Sequence, residues 1–169
     1  MSGPTAVTRW QGFEPQLRGL LRIFMAFLYF QYGSAKLLAF PGPIMPGGGT
    51  ASVSTLAGFA GLLESVGGIL LLLGLFTRPV AFVLSGEMAV AYFYGHAPKG
   101  FWPVLNQGAP AVSFCFVWLY FSAAGAGPWS LDALRRPQSG PPPAMTPDTS
   151  SAPERRRTRS RGSGSIQHQ

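Results

Sequence analysis

Charge is scarce in this sequence, and scarcest in its apolar stretches. Lys, Arg, Asp and Glu make up 11% of the 169 residues. Up to residue 134 the basic side chains are Arg9, Arg18, Arg22, Lys36, Arg78 and Lys99, and the acidic ones Glu14, Glu64, Glu87 and Asp132. Residues 135–169 hold seven arginines against Asp148 and Glu154, so the formal net charge of +7 belongs mainly to the C-terminal end and says little about the folded part. A single cysteine, Cys115, excludes an intrachain disulfide, a Cys-based metal site and a Cys-x-x-Cys redox pair. Lying in an apolar run, it reads as a small hydrophobe. No nucleophile–base pair, phosphate-cradling glycine loop, dinucleotide fingerprint or metal-ligand cluster is visible. No catalytic residue and no metal ligand is therefore expected, and a self-contained enzyme is the weakest reading. Nor does the opening "MSGPTAVTRWQGFEPQ" carry a basic region followed by a short apolar core and a cleavage site, so no removable signal peptide is expected.

What the sequence has in quantity is apolar length. Four segments stand out, at 17–40, 51–76, 79–97 and 109–126. Each approaches or exceeds the roughly 17–25 residues a helix needs to cross a bilayer core. None has the charged face that a soluble bundle requires. The expected fold is all-α: an integral membrane four-helix bundle, up-down-up-down, over residues 17–136. It is preceded by a cytoplasmic segment at 1–16 and followed by a disordered basic tail at 137–169, rich in Pro, Ser and Arg. The connections agree. "PGPIMPGGGT" (41–50) and "PKGFWPVLNQG" (98–108) are loops, the latter with Phe101 and Trp102 suited to a headgroup boundary. "TRP" (77–79) is a tight turn with Pro79 fit for the first turn of a helix.

Orientation follows from the basic residues near the segment ends. Arg9, Arg18 and Arg22, then Arg78, then Arg135 and Arg136 fall on one side of a four-span chain, and only Lys36 and Lys99 on the other. Both termini are thus expected in the cytoplasm. At 1.5 Å per residue, Glu64 lies about 18 Å deep, Glu87 about 12 Å and Gln31 about 21 Å, with Tyr32 just beyond. Arg22, about 8 Å in, is shallow enough to snorkel to the interface, and Lys36 is expected to do the same outward. A central carboxylate costs roughly 2.5–3.5 kcal/mol to insert. Glu64 and Glu87 should therefore face the bundle interior. Ala57, Gly61, Ser65 and Gly68 form a small-residue flank that lets a neighbouring helix approach. The candidate intramembrane polar site is Glu64, Glu87, Gln31, Tyr32 and Lys36, with His96 and Asn106 as polar residues of the outer face. Structural glue between helices is the competing role for the two glutamates.

The tail's "RRRTRSR" suits anionic lipid better than nucleic acid, which has no folded or aromatic module here to receive it.

The order of these motifs resembles the DoxX family of small bacterial four-helix membrane proteins, over about residues 15–135. The carriers are Arg22 and "YGSAKLLAF", then "GLLESVGGILLLLGLFTRPVAF", "SGEMAVAYFYGHAPKGFWPVLNQG" and "PWSLDALRR". The resemblance implies a multi-pass protein of the bacterial cytoplasmic (inner) membrane. It also implies a link to redox chemistry, through sulfur-compound oxidation coupled to quinone or through complexes answering oxidative stress. Many relatives have an acidic residue and a histidine where Gln31 and Tyr32 stand, and Asn-Gly-Gly-Glu where this chain reads Asn106-Gln107-Gly108-Ala109. The expected partners are the lipid bilayer and membrane or peripheral redox proteins, with no nucleic acid. Quinone is the only cofactor the resemblance suggests; none is evident in the residues. At most the chain is a subunit of a membrane oxidoreductase complex. A small-solute or proton pathway and a non-catalytic membrane scaffold are the alternatives.

Overall fold

The computed structural model describes residues 10–135. These are helical, with no strand among the described residues. Helix α1 spans Glu14–Leu38, α2 Leu56–Leu73, α3 Thr77–Val90, α4 Ala109–Ala124 and the short α5 Leu131–Leu134. The backbone of α3 does not stop at Val90. It widens into a π-helical turn at Ala91–His96 and tightens into a 3-10 turn at Ala97–Lys99. Arg136, the tail at 137–169 and residues 1–9 of the expected cytoplasmic segment lie outside the described residues.

Local chemistry explains the boundaries. Pro15 in the first turn of α1 needs no hydrogen-bond acceptor, and Glu14 places negative charge where the helix dipole is positive. Thr55 caps α2, its hydroxyl accepting from the Gly58 N–H at 3.1 Å. Gly74, at φ +65°, ends α2 in the left-handed conformation that only glycine adopts freely; its N–H and that of Leu75 return to Leu71 and Leu70. The N-terminus of α3 is capped from a distance. Asp132 on α5 accepts the Phe76 N–H at 2.9 Å and the Thr77 N–H at 2.8 Å.

Helix α1 lies along α2, and α3 along α4. The α1–α2 contact is close because small residues form it: a Cβ placed on Gly33 would meet Ser65 N and Oγ at 2.5 Å, and one on Gly68 would meet Phe30 Cα at 3.0 Å. Lys36 and Gly33 meet Gly61 and Ser65, Phe30 meets Gly68, and Arg22 meets Leu71, so the two helices run in opposite directions. Tyr29 carries α1 across to α4, edge-on to Phe114 at 5.0 Å and to Trp118 at 5.3 Å between ring centroids.

The core is mainly apolar, but it also holds polar groups, and the outer surface is apolar where that of a water-soluble bundle would be polar. Arg22, Glu64, Thr77 and Ser85 are buried, while Phe27, Phe59, Phe82 and Phe116, one from each long helix, are exposed; Phe82 is 67% exposed and Phe116 65%. Among the described residues one helix, Leu56–Leu73, is long and apolar enough by length and composition to cross a membrane. Helix α4 is apolar but shorter, with 16 residues. The 14 residues of α3 reach the length of the expected segment only through the π and 3-10 turns.

Two expectations for basic residues are corrected. Arg22 does not snorkel: it is fully buried. Its Nε donates to Ala126 O at 3.0 Å and its Nη atoms to Leu72 O at 2.8 Å, Trp129 O at 2.8 Å and Leu71 O. Backbone donors run short at the end of α2, and the planar guanidinium reaches several acceptors there at once. Lys36 does not reach outward either, for the reason the next section gives.

Candidate functional site

Lys36 turns inward because Glu64 faces it across the α1–α2 contact. The two meet at 2.6 Å, Lys36 Nζ donating to Glu64 Oε1. The Glu64 side chain is 2% exposed and that of Lys36 19%. Gly61 makes this geometry available, since it sits one turn before Glu64 and lies against the Lys36 Cβ. A carboxylate removed from solvent needs a counter-charge, and the nearest cation on the neighbouring helix supplies it. Glu64 Oε2 remains buried without a hydrogen-bond partner.

The pair borders a cavity of about 290 Å³. Tyr29, Tyr32 and Lys36 come to it from α1, Glu64 from α2, His96 from the π turn and Phe114 from α4. His96 is held by its own loop: Nδ1 lies 3.0 Å from Asn106 O. A carbonyl only accepts, so Nδ1 carries the proton in this contact. Asn106 is buried and fully engaged, donating to Gly100 O at 2.7 Å and accepting from Gly108 N at 2.8 Å. It shapes the loop and does not line the cavity.

The sequence candidates thus separate into groups. Glu64, Lys36, Tyr32 and His96 share the cavity wall. Glu87 stands behind it, its Oε2 accepting the Tyr29 hydroxyl proton and its Oε1 buried without a partner. Gln31 lines a separate surface groove with Tyr32, Pro41 and Ile44. Sequence reasoning missed Tyr29, which links Glu87 to the cavity, and Gln107 and Phe114, which line it. Tyr29 was legible in principle: it lies one helical turn before Gly33, on the face where α1 meets its neighbours. Nothing in the sequence marked the π turn that carries His96 round to the same wall.

Chemically, the cavity wall carries the Lys36–Glu64 pair with one carboxylate oxygen in need of a donor, the Tyr32 phenol, and the aromatic rings of Tyr29 and Phe114. A molecule that both accepts and donates hydrogen bonds from a compact ring or chain fits that set. Among the described residues no group of three or more His, Cys, Asp or Glu side chains is placed to hold a metal ion.

Comparison with known proteins gives two matches. Residues 18–97, which include Glu64, Glu87, Lys36 and His96, match the DoxX family. An uncharacterized protein of Haemophilus influenzae is 46% identical over 123 residues, which is 71% of this chain and 91% of that protein. No solved structure matches.

Proposed function

The chain belongs to the DoxX family, and on that premise we propose that it is a multi-pass protein of the bacterial cytoplasmic membrane, binding a small hydrogen-bonding redox partner beside Glu64. Its long apolar segments cross as an up-down-up-down bundle with both termini in the cytoplasm. The apolar outer surface supports this: large aromatic side chains face outward from every long helix while Arg22 and Glu64 are buried. Arg78 at the start of α3 and the arginines at 135–136 favour the cytoplasmic side for their ends of the helices, and Phe101 and Trp102, both exposed, suit the opposite headgroup region.

The observation that carries the binding role is the unpartnered Glu64 Oε2 at a cavity wall, beside a lysine already paired to Oε1. A carboxylate serving only to hold α1 to α2 would be met by Lys36 inside a filled contact. Here space adjoins it. The family's link to redox chemistry directs the ligand class to a quinone-like ring or a thiol-linked partner, with the chain acting as a subunit of a membrane complex. The test is Glu64→Gln, which keeps size and one acceptor but removes the charge. Loss of oxidative-stress survival or of quinone-dependent electron transfer in membranes, with the protein still present and folded, is the expected result. Wild-type behaviour would count decisively against it.

A second reading has its own observation. Lys36 and Glu64 are complementary and sit at the tightest helix contact, as a packing lock would. The double variant Lys36→Met with Glu64→Leu separates the two roles. A scaffold keeps its partners with that apolar pair, and a binding site does not.

A further inference from the structure

A second cavity, of about 260 Å³, lies at the other end of the bundle, between Arg18, Arg78 and the 124–133 segment. We propose that it binds a phosphate group, carried either by an anionic lipid headgroup or by a free phosphate ion. Two guanidinium groups line it, from the second turn of α1 and the first turn of α3. Arg78 makes no hydrogen bond or ion pair within the described residues. Arg18 is only partly satisfied: Nη1 donates to Ala124 O at 2.9 Å, while Nε is buried without an acceptor and stands 3.6 Å from Glu14 Oε1. A buried guanidinium N–H without an acceptor is unfavourable, and a phosphate oxygen supplies one in the planar geometry arginine favours.

Asp132, the acidic residue on the same wall, sets one negative charge against the two guanidinium groups, and its oxygens are already engaged elsewhere. Both oxygens of Asp132 accept backbone N–H groups at the start of α3, and Arg135 stands beside it. Ser130 and Gly127 complete the wall, bonded to each other and so held in place. A polar recess with two arginines, beside helices whose outer surfaces are apolar, suits a phosphate held at the headgroup level of an anionic leaflet. The lipid source rests on the membrane reading above. Binding of the free ion does not.

The experiment is thermal unfolding of the full chain in dodecylmaltoside, at constant ionic strength. Dioleoylphosphatidylglycerol, dioleoylglycerol and inorganic phosphate are titrated separately, on wild type and on Arg78→Gln. Arg78 has no hydrogen-bond or ion-pair partner among the described residues, so this variant should fold. The expected result is stabilisation by phosphatidylglycerol, with apparent affinity about tenfold weaker in Arg78→Gln, as loss of one charge-assisted contact implies. Stabilisation by the lipid alone assigns the headgroup as the source, and stabilisation by inorganic phosphate extends the site to the free ion. Arg18→Gln, read only as the difference with and without lipid, should weaken the response further. An equal response to dioleoylglycerol, an unchanged response in both arginine variants, or no response to either phosphate source would overturn the proposal.

Discussion

Lys36 Nζ lies 2.6 Å from Glu64 Oε1, joining the last turn of α1 to the middle of α2 inside the protein. Removing Lys36 leaves Glu64 buried and unpaired, which typically costs about 3–5 kcal/mol, while removing Glu64 strands a lysine that is only partly buried and costs less. Lys36→Met and Glu64→Leu should each lower the thermal midpoint in detergent, Lys36→Met the more strongly. The double variant should recover most of the loss, because neither charge remains to be compensated. Additive losses in such a double-mutant cycle would mean that the two groups do not interact.

Arg22 should prove the most sensitive basic residue. Its guanidinium reaches the carbonyls of Leu71, Leu72, Ala126 and Trp129, joining the end of α2 to the segment after α4. Arg22→Ala is expected to destabilise by at least about 3 kcal/mol, since several buried carbonyls lose a charged donor. Arg22→Lys should rescue little, because an ammonium cannot reproduce the planar fork. Yield and thermal midpoint after purification measure both.

Gly33 tests the close approach of α1 and α2. An added methyl would meet Ser65 N and Oγ at 2.5 Å, so Gly33→Ala should cost about 1–3 kcal/mol through displacement of the helices. Gly86, whose Cβ would meet nothing within 4 Å, is the control. Gly86→Ala should be neutral or slightly stabilising, as helix propensity favours alanine.

The Asp132 cap makes an acid-side prediction. Partial burial works to raise its pKa, but the backbone N–H groups of Thr77 and Phe76, with Arg135 nearby, outweigh burial and hold the carboxyl below the ordinary aspartate value. A carboxyl whose pKa is lower in the folded state adds stability above its unfolded value of about 3.9, lost as pH falls through the folded value. Asp132→Asn should therefore be less stable than wild type at neutral pH. The gap between them should narrow as the pH drops below about 4, when both carry an uncharged side chain.

Much of this organisation was legible in the sequence. The four apolar segments became the four long helices because their flanks hold strong punctuation: Pro15, Thr55, Gly74 and Pro110 sit where helices begin or end. The stripe Gly61, Ser65, Gly68 correctly marked the face that meets α1. The directions of Arg22 and Lys36 were not legible. Depth along a helix says how far a long side chain must travel to water, but not which carbonyl or carboxylate an adjacent helix presents nearer by. The site divided for the same reason. Gln31 and Tyr32 are neighbours in sequence, yet a 100° step around α1 turns Gln31 into a surface groove while Tyr32 also lines the cavity.

The central claim, that these helices cross a membrane with their polar groups inside, is tested most directly by side-specific labelling. In a Cys115→Ala background, single cysteines replace Val104, in the loop between the α3 turns and α4, and Leu134, on α5; both positions are 81% exposed. The account predicts that a membrane-impermeant maleimide labels Val104→Cys in intact cells and labels Leu134→Cys only after permeabilisation. Labelling of both from the same side would show that α4 does not cross, and would contradict the account.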